Sequence, residues 1–122
     1  MSLASPQHEV KTEPRREKLR ILFQGKLVAE TARPIILYET GLPAVYYIPR
    51  EDARMNLLAR STHRTRCPYK GFANYFDIVV DGARSANAVW TYEDPLPAAA
   101  AIKGYLAFYP DRVEIERGVD KR

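Results

Sequence analysis

The stretch Tyr75-Phe-Asp-Ile-Val-Val-Asp-Gly-Ala-Arg-Ser-Ala-Asn-Ala-Val-Trp-Thr-Tyr92 decides the fold class of this chain. Its two arms, residues 75–80 and 84–92, flank Asp81-Gly82, and Asp-Gly is among the strongest two-residue signals for a tight hairpin turn. The turn also sets the pairing register of the two arms. The stretch therefore predicts an antiparallel β-hairpin.

Similar signals predict further strands on both sides. Gly25 supplies the positive φ of a turn between residues 19–23 and 27–32, which form a second hairpin. Two more strands are predicted over residues 35–39 and 45–48, and they are separated by Gly41 and Pro43. A last hairpin is predicted from residues 105–109 and 113–116 around Pro110-Asp111. The pattern indicates a mostly β chain.

The remaining segments are short. Asp94, Pro95 and four alanines predict one short helix near residues 95–103. Residues 50–58 allow irregular chain or a single helical turn. Residues 1–17 mix Lys, Arg, Glu and Pro without apolar periodicity, which predicts a disordered basic tail. We expect one domain over residues 18–118 and a short tail over residues 119–122.

Size and composition set limits on the class of protein. The chain has 122 residues, 46% of them hydrophobic and 28% charged, which is typical of one globular domain. It contains no apolar run of roughly 18 residues and no apolar signal segment, so we expect a cytoplasmic protein without a membrane partner. Its single cysteine excludes an internal disulfide and argues against zinc, which usually needs paired thiolates. The sequence predicts no cofactor.

Positive charge is concentrated inside the chain. Residues 50–70 carry six Lys or Arg residues against two acidic ones, whereas the net charge of the whole chain is +4. In an extended strand, Arg60, Arg64 and Arg66 lie on one face, opposite Thr65 and Cys67. This face could bind an anion such as nucleic acid. Solvated arginines on an exposed strand explain the same charge count.

Few residues suggest chemistry on their own. Cys67 could be a nucleophile if nearby arginines lowered its pKa, or a small buried apolar residue. His63 lies about 13 Å from Cys67 along a strand, too far for a catalytic dyad. Glu39 ends an apolar strand just before a Gly-Leu-Pro break, where functional groups are common. The many aromatic residues could hold a planar ligand or simply pack a small core.

Several motifs taken together resemble an uncharacterised bacterial and fungal family, a domain of unknown function that sometimes carries a nucleotidyltransferase-like label. The resemblance covers residues 19–115. Its motifs are Glu39-Thr-Gly-Leu-Pro43, Val45-Tyr-Tyr-Ile-Pro-Arg-Glu-Asp52, Thr65-Arg-Cys-Pro-Tyr-Lys-Gly71, Trp90-Thr-Tyr92, Pro95-Leu-Pro-Ala-Ala-Ala-Ala-Ile102 and Ala107-Phe-Tyr109.

The resemblance implies a fold of coiled antiparallel sheets of the β-tent type, similar to zinc-bearing Mss4-like and methionine sulfoxide reductase B domains. Their zinc and reductase chemistry do not carry over, because this chain has one cysteine in place of paired Cys-x-x-Cys motifs. The nucleotidyltransferase label also lacks local support, since no Gly-Ser turn with a close carboxylate pair is visible. The residues that match the family's motifs also include Asp52.

We therefore predict a small-molecule binding domain for an anionic or planar ligand. Its candidate binding residues are Glu39, Tyr47, Arg50, Thr65, Cys67, Lys70, Trp90 and Tyr92. One alternative is an enzyme of unknown reaction in the same cleft, with Lys70 or Cys67 as nucleophile and Glu39 as base. A second alternative is nucleic-acid binding through the outward arginines. Exposed edge strands could also pair two copies into a homo-oligomer.

Overall fold

The computed structural model describes residues 8–118, and these form ten strands in three antiparallel sheets. The strands are β1 Val10–Pro14, β2 Lys18–Phe23, β3 Lys26–Thr31, β4 Ile35–Glu39, β5 Val45–Tyr47, β6 Leu58–Cys67, β7 Gly71–Val80, β8 Ala83–Thr91, β9 Leu106–Phe108 and β10 Glu114–Gly118. Their orders are β1-β4-β5 (sheet A), β10-β2-β3 (sheet B) and β6-β7-β8-β9 (sheet C). The predicted mostly β class with antiparallel sheets is confirmed.

The two predicted N-terminal and central hairpins are present. Asp81 and Gly82 both have positive φ, 50° and 84°, and their turn joins β7 to β8 with Val80 opposite Ala83. Gln24 and Gly25 make the same kind of turn between β2 and β3. Positive φ at both central residues gives the turn the twist of the flanking strands. Local turn chemistry therefore sets these two hairpins.

The predicted disordered tail is not observed over residues 8–17. Strand β1 pairs with β4, placing Val10 opposite Glu39 and Pro14 opposite Ile35. Only Val10 and Thr12 of this strand are half-buried, so its other side chains can be polar while its backbone pairs. With no fully buried side chain on either face, β1 lacks the apolar–polar alternation that marks a half-buried strand in a sequence. Residues 1–7 and 119–122, the other parts of the predicted tails, lie outside the described residues.

The predicted last hairpin does not form. Strand β9 pairs with β8 and completes sheet C, whereas β10 crosses to sheet B and pairs with β2. All three residues of β9 are buried, while β10 is almost wholly exposed. A turn at Tyr109 does occur, with the Arg112 N–H donating to the Tyr109 carbonyl over 3.0 Å. The two strands nevertheless separate after it, because each completes a different sheet.

The predicted short helix is a 3₁₀ segment, η3 Pro97–Ile102, with non-helical geometry at Ala99. Leu96 precedes it without a side-chain cap, so Asp94 does not have the predicted capping role. Buried Ala99 and Ile102 lie three residues apart and face the core, which suits three residues per turn. The ambiguous residues 50–58 contain two further 3₁₀ turns, η1 Arg50–Asp52 and η2 Met55–Leu57.

Two apolar clusters hold the sheets together. The larger cluster lies between sheets B and C and includes Leu19, Val28, Ile78 and Val89, all fully buried. The second cluster joins sheet A, sheet C and η3, and it is unusually aromatic, with Tyr47, Tyr75 and Tyr92 among its members. Within the described residues, none of the helices is long and apolar enough to span a membrane.

The Asp-Gly turn offers a direct test of this fold. We expect Gly82→Ala to lower the free energy of unfolding by about 1 kcal/mol, because a Cβ at positive φ is strained. Asparagine tolerates this conformation better, so Gly82→Asn should lose about half as much. Urea denaturation of the two variants and the wild type measures this order, and equal stability of all three would contradict the turn geometry.

Candidate functional site

A cavity of about 590 Å³ opens where the three sheets meet. Sheet C forms one wall, sheet B with its edge strand β10 forms another, and the β4–β5 loop closes one side. The lining residues are Ile21, Leu42, Pro43, Ala44, Val45, Tyr46, Ile48, Lys70, Tyr75, Trp90, Tyr92, Phe108, Tyr109, Pro110, Ile115 and Arg117. Most of them are apolar or aromatic, as is typical of small-molecule pockets.

Trp90 is fixed in the sheet C wall from two sides. Its indole Nε1–H donates to the Tyr47 hydroxyl over 3.1 Å, and the two rings meet edge to face with centroids 6.3 Å apart. The Tyr109 ring packs at 4.5 Å, centroid to centroid. Because its only polar hydrogen is already bound inside the protein, Trp90 offers a ligand an aromatic surface and no hydrogen bond.

Lys70 reaches the cavity from the tight turn between β6 and β7. The Leu96 N–H donates to the Lys70 carbonyl over 3.0 Å and anchors this turn. Gly71 follows with φ of 108°, and a Cβ there would lie 3.4 Å from the Leu96 nitrogen. Positive φ and this close approach both favour glycine. The Pro-Tyr-Lys-Gly motif thus places Lys70 at the cavity.

Lys70 forms an ion pair with Glu39 at the end of β4. The distance from Lys70 Nζ to Glu39 Oε1 is 2.5 Å, and only 12% and 5% of the two side chains are exposed. The second carboxylate oxygen, Oε2, lies 3.1 Å from His8 Nε2, and the His8 ring stacks on Tyr69 at 3.8 Å. A buried carboxylate is costly without partners, and here it has two.

The tyrosine hydroxyls of the cavity differ in what they bind. The Tyr75 hydroxyl lies 2.9 Å from Thr65 Oγ1 and also bonds to Tyr109, whose pKa is raised to about 12, chiefly by burial. Burial likewise raises the pKa of Tyr47 and Tyr92, so both stay neutral phenols. Within the described residues the Tyr92 hydroxyl has no hydrogen-bond partner, although Tyr92 is 6% exposed and lines the cavity.

The charged lining residues are both cations. Lys70 lies at the sheet C wall, with its Nζ 5.8 Å from the centroid of the Tyr92 ring. Arg117 comes from β10; it donates to the Tyr46 hydroxyl over 2.7 Å, and its Nε lies 3.8 Å from a Glu17 oxygen. None of the residues that line the cavity carries a carboxylate. The lining therefore favours a ligand that is neutral or anionic.

Three of the predicted candidates, Lys70, Trp90 and Tyr92, line the cavity. Three others support it from behind, because each bonds to a lining side chain: Glu39, Tyr47 and Thr65. Cys67 is half-buried and packs against the aromatic cluster. His8, Tyr109 and the β4–β5 loop were not among the predicted site residues. The loop and Tyr109 lie in the motifs Glu39-Thr-Gly-Leu-Pro43 and Ala107-Phe-Tyr109, whereas no local signal marks His8.

Arg50 lies away from the cavity. Its Nη2 donates to Glu93 Oε2 over 3.2 Å, and its Nε donates to the Gly104 carbonyl over 3.1 Å. Arg60 donates to the other Glu93 oxygen over 2.7 Å, and both guanidinium groups lie over the Phe76 ring. These two arginines are therefore held by one carboxylate. These contacts connect β6, η1 and the segment that follows β8. Arg50 therefore has a structural role.

The other arginines of the basic segment face solvent, as the strand alternation predicts. The Arg64 guanidinium lies 4.3 Å from the centroid of exposed Phe72, and Arg66 is exposed on the same strand. Neither arginine makes an ion pair with any residue between positions 8 and 118. The pairing register of β6 shifts between Arg60 and Arg64 and thus separates Arg60, which is bound to Glu93, from the two arginines without an ion pair in the described residues.

No three His, Cys, Asp or Glu side chains between residues 8 and 118 lie close enough together to hold a metal ion. His8 and Glu39 do lie together, but the third group beside them is the Lys70 ammonium, which cannot ligate a metal ion.

Comparison with known families supports the resemblance in the motifs. A family model described as "Domain of unknown function (DUF427)", whose short label is nucleotidyltransferase-like, matches residues 11–118. The chain belongs to this family. No curated protein matches the chain.

The Glu93 cluster predicts a pH-dependent stability. The hydrogen bond from Arg60 lowers the pKa of Glu93, so its contribution is present above the unfolded-state pKa of about 4.3 and is lost as the pH falls through the folded-state value. We expect Glu93→Gln to cost roughly 0.5 to 1 kcal/mol at neutral pH, since Glu93 is one-third exposed. Urea denaturation should show this difference shrinking below about pH 4.

The matched control is Glu114→Gln. Glu114 is exposed and makes no ion pair with the described residues, so its loss should leave stability unchanged at both pH values. A Glu93→Gln effect that is independent of pH would contradict the ionic origin of the contribution.

Proposed function

We propose that the protein binds a small molecule with an apolar or planar body in the cavity between its three sheets. Membership of a family of unknown function assigns no activity, so the proposal is built on the cavity itself. The observation that carries it is an aromatic wall at which a single buried lysine is held in place.

Size and lining both support binding. A volume of about 590 Å³ lies within the roughly 300 to 1,000 Å³ range of small-molecule sites. The lining is mostly apolar, with a few polar groups at one wall, and this combination favours a ligand with an apolar body and one polar end. Trp90, Tyr92 and Tyr109 offer ring surfaces that suit a planar body.

The alternative of an enzyme in the same cavity has less support. The 2.5 Å contact between Lys70 and Glu39 lies just below the range of about 2.6 to 3.2 Å expected for a nucleophile and its base, so the two groups are within reach of each other. In an ion pair, however, the lysine nitrogen is an ammonium and has no lone pair with which to attack. Cys67 is half-buried against aromatic side chains and has no polar partner among the described residues. The geometry favours holding a ligand over reacting with it.

Nucleic-acid binding is a second candidate because of one observation on the exposed face of β6. Arg64 and Arg66 are without ion pairs in the described part of the chain, and Arg64 stacks on exposed Phe72. A cation beside an exposed ring can hold a phosphate and a base. The surface is small, because Arg60 is already bound to Glu93.

A neutral environment-sensitive dye, N-phenylnaphthylamine, tests the cavity as a binding site. We expect its fluorescence to rise and saturate at one dye per chain. Ala44 lines the cavity mouth and is exposed, so Ala44→Trp should block entry and weaken binding about tenfold or more. Ala101 is equally exposed on η3 and does not line the cavity, so Ala101→Trp should bind like the wild type. Absent saturation, or equal weakening in both variants, would refute the proposal.

A fluorescent single-stranded oligonucleotide tests the second candidate. If the β6 face binds nucleic acid, fluorescence anisotropy should rise at low salt, and the affinity should fall steeply with salt. The double variant Arg64→Ser/Arg66→Ser should then lose binding, whereas Arg112→Ser, on another surface, should not. If no binding occurs at low salt, this candidate is excluded.

A further inference from the structure

We propose that the ligand carries a carboxylate, which Lys70 and Tyr92 bind together at the sheet C wall of the cavity. This inference rests on the proposed function and specifies its ligand class. It is based on the hydrogen-bond donors around the cavity that are not fully bound to acceptors inside the protein.

Most polar groups of the aromatic wall are already satisfied inside the protein. The Trp90 N–H is donated to Tyr47, and the Tyr75 hydroxyl is shared between Thr65 and Tyr109. On the opposite wall, the Tyr46 hydroxyl bonds to Glu17 and accepts from Arg117. None of these groups needs a ligand for its hydrogen bonds.

Two donors at the sheet C wall are not fully used. The Tyr92 hydroxyl has no partner among the described residues, although the residue is more than nine-tenths buried. The hydroxyl itself is not among the fully buried polar atoms, so it is open to the cavity and can donate to a ligand there. The Lys70 ammonium has three N–H donors, and its one observed hydrogen bond goes to Glu39.

The Lys70 ammonium and the Tyr92 ring are neighbours in the cavity wall. Lys70 Nζ is 5.8 Å from the centroid of the Tyr92 ring, and both residues line the same wall. Burial raises the pKa of Tyr92, so its hydroxyl stays protonated and donates. One cation beside one neutral donor matches a group with two acceptor oxygens and a negative charge. A carboxylate is the simplest such group.

Positively charged and neutral ligands fit this wall less well than a carboxylate does. An ammonium group cannot accept a hydrogen bond from Lys70 or Tyr92, and its charge would lie beside the Lys70 ammonium, whose partner Glu39 stands behind the lining. A neutral alcohol would satisfy one donor and leave the charge of Lys70 paired only with Glu39. The ligand class is therefore an aromatic or apolar carboxylic acid small enough for about 590 Å³.

Three competitors that share a naphthyl group and differ in their polar group test the inference: naphthoate, naphthalenemethanol and naphthylmethylamine. Each is titrated against bound N-phenylnaphthylamine. We expect naphthoate to compete about tenfold or more better than the alcohol, with the amine weakest. Equal competition by all three, or a preference for the amine, would overturn the carboxylate inference while dye binding still supports the cavity. Failure of the dye itself to bind would refute the proposed function instead.

Variants assign the preference to the two donors. Glu39→Gln removes the anionic partner of Lys70, so naphthoate becomes the partner available to the ammonium, and the preference for naphthoate over the alcohol should be at least that of the wild type. The double variant Lys70→Met/Glu39→Gln removes the cation and leaves no buried carboxylate. Its preference for naphthoate should therefore disappear. Tyr92→Phe should reduce the preference about five- to tenfold. Tyr105 packs against the same cluster but does not line the cavity, so Tyr105→Phe should leave the preference unchanged.

Thermal melting of each variant guards against a general loss of structure. A preference for naphthoate that survives the Lys70→Met/Glu39→Gln exchange in a folded protein would overturn the role of Lys70. A preference that falls equally in Tyr92→Phe and Tyr105→Phe would overturn the role of the Tyr92 hydroxyl.

Discussion

The ion pair between Glu39 and Lys70 connects parts of the chain that are distant in sequence and holds Lys70 in the cavity lining. Glu39 ends β4 in sheet A, and Lys70 lies in the β6–β7 turn of sheet C, 31 residues away. Both side chains are largely removed from water, so each would be strongly unfavourable without the other. The pair therefore constrains how sheet A meets sheet C. The same constraint presents the lysine to the cavity in a defined position.

The sequence predicts what is local and misses what is not. The Asp81-Gly82 hairpin forms because two adjacent residues determine the turn and the register beside it, although the register shifts further along, between Phe76 and Ile78. Strand β10 pairs with β2 and not with β9, and nothing within a few residues of the Tyr109 turn distinguishes these outcomes. Strand β1 was missed for a different reason. Its pairing is made by the backbone, while most of its side chains are solvated and carry no apolar pattern.

The same distinction explains which site residues could be found. Glu39 and Lys70 were identified separately, from a strand end and from a motif, and their contact could not be inferred from either. Arg50 shows the opposite error: as a cation in a basic segment it is a reasonable candidate, but Glu93 binds it from 43 residues away. Charge counted along the chain does not tell which cations are neutralised in the fold. Only Arg64 and Arg66 of the predicted stripe remain without ion pairs in the described residues.

Glu39 has a second partner, and this affects what Lys70 can do. His8 contacts the far oxygen of the carboxylate, and the His8 ring is held by stacking on Tyr69. A ligand oxygen that draws the ammonium partly toward the cavity therefore does not leave Glu39 without a hydrogen bond. A buried lysine with a single carboxylate partner would resist such a movement, because the cost of an isolated charge would oppose it. The N-terminal segment, which the sequence presents as a tail, thus contributes to the polar end of the cavity by sharing the carboxylate.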